Sequence, residues 1–275
     1  FLGGGALAAP LPGLGRWAAD AAPVQGGGVE LKYQHFSVIQ SASRRLPLVT
    51  AVNIDGERAF ALKREGDWKL DGRLSADHQI GNELYVRNAL DRGHMVRRRD
   101  PGWGDSREEA ERGERDTFHY TNSAPQHEIL NQRTWVGLED YILQNAHTRG
   151  FRACVFTGPV FRDDDRRLKA QPGAQDVQIP EEFWKVAVMV NDDTGALSAT
   201  GYVLSHGPLI RDLVEAAFVY GAYETYQVRI DRIERATGLD FAALRPFDPL
   251  ARPEIRETLF GEAAFAVRGP GDIRL

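Results

Sequence analysis

The chain has 275 residues, of which 42% are hydrophobic and 27% charged. This composition excludes collagen-like, coiled-coil and broadly disordered classes, and the longest apolar runs fall far short of the ~20 residues a membrane-spanning helix needs. The single cysteine, Cys154, excludes an internal disulfide framework and fits a reducing compartment, so a cytoplasmic setting is expected over a secreted one. A formal charge of −5 gives no overall basic field to attract nucleic acid.

Residues 1–28 are rich in Gly, Ala and Pro and read as a lead-in segment: a linker, a leader remnant or an arm lying over the domain. The first residue is Phe1, which leaves room for a preceding regulatory domain. The rest, 29–275, reads as one domain. Segments 33–40 (YQHFSVIQ) and 47–54 (PLVTAVNI) have strand composition, and Asp55-Gly56 supplies a hairpin turn with 58–62 as the returning strand. Residues 64–71 read as loop, and 102–115 (GWGDSREEAERGER) as a charge-mixed surface insertion with some helix. Residues 122–126 (NSAPQ) have turn chemistry, followed by a helix over 127–141. A buried strand is expected at 153–157, closed by Gly158-Pro159. Two more, at 185–191 and 199–204, are joined by a turn at Asp193-Thr194-Gly195. An amphipathic helix is expected over 227–237, capped by Gly238. Mixed strands and helices without βαβ alternation give an α+β fold.

The chemistry centres on Asp91-Arg92-Gly93-His94, followed by Arg97, Arg98 and Arg99. A neutral imidazole can take a proton from water near neutral pH, and a guanidinium can hold a phosphate bidentately. In the second cluster, HEILNQRTWVGLEDY at 127–141, helical spacing puts Asn131, Trp135 and Glu139 on one broad face. An amide oxygen with a carboxylate suits a hard divalent ion that keeps most of its water. Taken separately, each cluster also fits an ordinary structural histidine or a solvated helix face.

Together, DRGH, then TNSAPQ, then an Asn-x-x-x-Trp-x-x-Leu-Glu helix resemble the DNA/RNA non-specific endonuclease family, with its ββα-metal (His-Me) finger. Thr157-Gly158-Pro159, Ile179-Pro180 with Phe183-Trp184-Lys185-Val186, and Thr237-Gly238-Leu239 continue the likeness over roughly residues 30–245. The resemblance implies an antiparallel sheet core and metal-dependent hydrolysis of DNA and RNA with little sequence preference, leaving 5′-phosphates. His94 would be the general base. Asn131 would hold one Mg²⁺ or Mn²⁺ directly, with Glu139 acting through water. Arg92 would contact phosphate, and Asn122, as a catalytic-site residue, would position the loop and catalytic hydrogen bonds near the metal. Arg64, followed by Trp68 and Asp71, looks like a further phosphate-binding arginine, with Lys63 and Arg73 as competitors. Arg97, Arg98, Arg99 and Arg133 would line a basic groove on an acidic body, and the 102–115 insertion would sit at the rim, where it could gate access. The alternative is a silent or inhibited nucleic-acid-binding or toxin-like module, controlled by an inhibitor, a missing domain or an attached peptidase. The acidic triplet 163–165 is expected to be a surface turn, and Cys154 a small core residue.

Overall fold

The computed structural model describes residues 9–86, 90–127, 152–169, 176–190, 197–205, 224–252, 264–267 and 272–274. In chain order its strands begin with β1 (Glu30–Lys32), β2 (Phe36–Gln40), β3 (Pro47–Asp55), β4 (Leu90–His94), β5 (Ser123–His127) and β6 (Arg152–Val160). They continue with β7 (Arg166–Lys169), β8 (Asp176–Ile179), β9 (Glu182–Val190), β10 (Leu197–Ser205), β11 (Glu224–Val228) and β12 (Ala264–Ala266). Two α-helices are described, α1 (Arg107–Asp116) and α2 (Ile230–Thr237). Eight strands form one antiparallel sheet in the order β1-β2-β3-β6-β9-β10-β11-β12, while β4–β5 and β7–β8 are separate two-stranded ribbons.

The central strands are apolar without alternation because both faces of the sheet are covered. Cys154, Phe156, Trp184, Val186 and Val188 join one buried cluster, while Ala153, Val155, Phe183, Ala187 and Met189 join the other. Helix α2 contributes Ile230 and Ile233 to the first cluster. Met95, Val96 and Ala124, from the β4–β5 region, contribute to the second. The sheet is therefore the floor on which the histidine-bearing ribbon stands.

Several sequence expectations shift, each for a local reason. Residues 58–62 form no returning strand, because both edges of β3 are already taken by β2 and β6; only Ala59 bridges, to Trp103. Gly158-Pro159 lies inside β6 and does not close it. β3 pairs with β6 only as far as Thr50 opposite Thr157, whereas the β9 ladder runs on through Pro159 opposite Phe183 to Val160 opposite Glu182. Gln227 and Val228 belong to β11, opposite Tyr202 and Gly201, so the helix begins at Ile230. It ends at Gly238, whose φ of +76° and N–H bond to Glu234 O (2.7 Å) make the expected left-handed cap. Residues 122–126 are mostly strand and not turn, because they pair with β4. His127, the expected start of the 127–141 helix, is instead the last residue of β5, opposite Leu90; the rest of that helix and the 193–195 turn lie outside the described residues.

The insertion folds as α1, capped by Ser106, whose hydroxyl accepts from Glu109 N at 3.2 Å. Just ahead of it, Trp103 stacks on His35 with ring centroids 3.5 Å apart, and its Nε1 donates to Asn53 O at 2.7 Å. In the 163–165 turn Asp165 is buried against Arg44 (3.3 Å) and accepts from Arg162 N (2.9 Å). Among the described residues no helix is long and apolar enough to cross a membrane.

Residues 9–28 lie against the domain. Gly13 bridges to Asp240, Ala21 to Ser41 and Val24 to Leu74, and Trp17 Nε1 donates to Thr237 O at 2.6 Å. Gly15 has φ of +50°, and a Cβ there would overlap the Gly238 carbonyl. Gly15→Ala should therefore lower unfolding free energy by about 1–3 kcal/mol. Urea denaturation measures this, and an unchanged midpoint would show that the arm adds nothing to the fold.

Candidate active site

The site is built on the β4–β5 ribbon. Its register sets Asp91 opposite Gln126, Arg92 opposite Pro125, Gly93 opposite Ala124 and His94 opposite Ser123. Glycine is required in the middle, because a Cβ at 93 would overlap the Gln126 side chain from Cγ to Oε1. The ribbon's end is closed by Asn122, which is fully buried. Its Oδ1 accepts from Val96 N (2.8 Å), and its Nδ2 donates to Val96 O and Thr117 O (3.0 Å each). Met95 N also donates to Asn122 O at 2.9 Å. The whole amide is spent on backbone, so Asn122 shapes the turn after His94 and has no atom left for a substrate.

His94 packs among aromatic rings, with Trp68 at 4.7 Å and Phe118 edge-on at 5.2 Å between centroids. Trp68 also meets Phe118 and Tyr120. The imidazole is half-buried, but Nε2 is sealed and has no hydrogen-bond partner among the described residues. Burial first, then the charges of Arg64 and Arg98, push its pKa down to about 3. His94 is therefore neutral at physiological pH.

The arginines divide by environment. Arg92 donates from Nη2 to Asn82 Oδ1 and places its guanidinium 5.1 Å from the Tyr85 ring centre. Its Nε is buried without a hydrogen-bond partner among the described residues. Arg64 is exposed, with its guanidinium 5.8 Å from the Phe118 ring centre. Arg98 is ion-paired to the buried Glu114 of α1, whereas Arg97 is half-buried and Arg99 exposed. Asp71 does not face Arg64: it binds Arg73 and accepts from Tyr33 OH (2.5 Å), which also meets Thr121 Oγ1 (2.7 Å). Burial alone would raise Asp71, but the bonds from Arg73 and Tyr33 outweigh it and hold the carboxyl at about 2. This chain of contacts braces the segment that carries Asn122.

Asn131, Arg133 and Glu139 lie outside the described residues. The structure thus brings together His94, Arg64, Arg98 and the Asn122 turn, with Arg92 on the same ribbon. Reading the sequence missed Glu114, Asn82 and Tyr85. Glu114 sits in a run of mixed charges where no spacing singles it out, and Asn82 and Tyr85 lie in a short irregular stretch.

The family model for DNA/RNA non-specific endonucleases matches residues 15–247. The chain belongs to that family. Bovine mitochondrial endonuclease G is 31% identical over 257 residues, covering 86% of this chain and 79% of the relative, and the human protein is 32% identical over 194, covering 68% and 58%. An uncharacterized Sinorhizobium fredii protein, y4fB, is 38% identical over 253 residues, covering 85% of this chain but only 37% of its own length. The fold matches a solved structure described as the EndoG/EndoGI complex, with a TM-score of 0.56 and 21% identity, covering 77% of this chain and 84% of that one. The architecture is accordingly that of the ββα-metal nucleases, and the chain is a nuclease domain of this endonuclease family.

The contact at Gly93 gives a test of the ribbon. Gly93→Ala should cost about 1–3 kcal/mol by overpacking, and adding Gln126→Gly should recover much of it. Thermal or urea unfolding of the single and double variants measures the coupling. Simple additivity would contradict the packing described.

Proposed function

We propose that this chain is a metal-dependent, sequence-non-specific endonuclease that hydrolyses phosphodiester bonds of DNA and RNA and leaves 5′-phosphate ends. The observation that carries the reading is His94, an imidazole kept neutral on a rigid ribbon and bordered by the charges of Arg64 and Arg98. As general base it takes a proton from the attacking water. Arg92 and Arg64 contact the phosphate and meet charge as it develops, while Arg97, Arg99 and Arg133 attract the polyanion from further out. The net charge of −5 is no obstacle, because phosphate contacts are local.

Asn131, with Glu139 through water, is proposed to hold one Mg²⁺ or Mn²⁺. An amide oxygen and one carboxylate suit a hard, largely hydrated ion. Among the described residues no group of three or more His, Cys, Asp or Glu side chains competes for it, the 163–165 turn included. When bound, the ion supplies charge neutralisation at the scissile phosphate.

Plasmid nicking with Mg²⁺, and with EDTA as control, tests the reading. Relaxation and degradation that EDTA abolishes are expected. Binding of the plasmid without cleavage in Mg²⁺ or in a parallel Mn²⁺ reaction would favour the silent, regulated module instead.

The pH dependence follows from the charges. In the free protein His94 stays unprotonated down to about pH 3. An incoming phosphodiester offsets the neighbouring guanidinium charges and favours imidazolium, so the pKa of His94 rises in the complex. The acid limb of kcat, which reports the complex, should therefore lie at higher pH than that of kcat/KM, which reports the free enzyme. Steady-state rates across pH show this, and coincident or reversed limbs would contradict it.

A further inference from the structure

We propose that Glu114 is a positioning residue for the hydrolysis: its buried carboxylate fixes Arg98, and the backbone beside Arg64, next to His94. This rests on the nuclease reading given above.

Glu114 lies on α1, far from DRGH in sequence, yet only 3% of its side chain is exposed. Its Oε1 takes an ion pair from Arg98 Nη1 and accepts from Glu65 N at 3.4 Å. One carboxylate oxygen thus touches both segments whose arginines act electrostatically on His94. The Arg98 side chain is itself only 18% exposed. Helix α1 can come this close because Gly113 lacks a Cβ, which would overlap the Pro101 carbonyl oxygen. The connection continues to the ribbon: Thr117 Oγ1 donates to Glu114 O (2.7 Å), and Thr117 O accepts from Asn122 Nδ2 (3.0 Å). The insertion is thus a buttress for the site, anchored at one end by Trp103 on His35 and at the other by Glu114.

A buried carboxylate does this better than an amide. A guanidinium beside a polyanionic substrate is drawn towards phosphate, and only a charged, desolvated partner competes on equal terms. The pairing also runs the other way, because removing Arg98 leaves a buried charge without its partner, a costly state. Small displacements of charged groups around a reacting phosphate are expensive, on the order of 10²-fold in rate for about 1 Å.

The experiment compares Glu114→Gln, Arg98→Met and the double variant with the wild type on plasmid DNA, well below each variant's unfolding temperature. The expected result is a fall in kcat of about 10- to 100-fold for Glu114→Gln with KM within about twofold, and a double variant no slower than Arg98→Met alone. An unchanged kcat, a loss confined to KM, or additive losses would overturn the proposal. A second readout needs no turnover: NMR hydrogen exchange of the Arg98 side-chain N–H groups. In Glu114→Gln this exchange should speed up as the guanidinium loses its buried partner; unchanged exchange would overturn the proposal even if the wild type cleaved nothing. A wild type that fails to cleave with Mg²⁺ or Mn²⁺ would instead count against the nuclease reading itself.

Discussion

The buried carboxamide of Asn122 is the contact on which the rest of the site depends. With three side-chain hydrogen bonds and one from its own carbonyl, it ties the residues just after His94 to those just before β5. A buried amide with unmade bonds would cost on the order of 1–3 kcal/mol per group, so the turn has one satisfied geometry and little freedom around it. His94 is the last residue of β4, one position before that turn. Its backbone is fixed from one side by the ribbon register and from the other by Asn122, while Trp68 and Phe118 confine the ring.

Charge is distributed by the same logic. The chain is acidic overall, yet among the described residues the charged groups acting on His94 are cationic, and two buried acids of this region are already engaged. Glu114 holds Arg98, and Asp71 holds Arg73. Arg92 rests on Asn82 and the Tyr85 ring and faces no carboxylate among its described contacts. Among the described residues, the guanidinium charges of Arg64 and Arg98 near the imidazole favour its neutral form.

Much of this was legible in the sequence. The β-branched runs at 47–54, 153–157 and 185–191 mark the central strands, because a sheet buried on both faces demands apolar residues at every position. DRGH and the Asn122 segment were recognisable as a unit, and the glycine between Arg92 and His94 has its reason in Gln126. What could not be read were pairings set at long range. NSAPQ has turn composition and becomes strand because β4 needs a partner, and residues 58–62 lose strand character because β3 has no free edge. Arg97, Arg98 and Arg99 look equivalent in sequence, yet Arg98 pairs with a buried acid from α1 while Arg99 lies exposed. Glu114 was invisible because nothing in a run of alternating charges tells which one turns inward.

The central claim is that His94 is the base and that the ribbon merely holds it. The most direct measurement is single-turnover hydrolysis of a short duplex by His94→Ala, with unfolding midpoint and metal affinity measured on the same sample. The account predicts a rate loss of at least 10²–10⁴-fold with fold and metal binding preserved. Hydrolysis near the wild-type rate by a folded, metal-bound His94→Ala protein would contradict it.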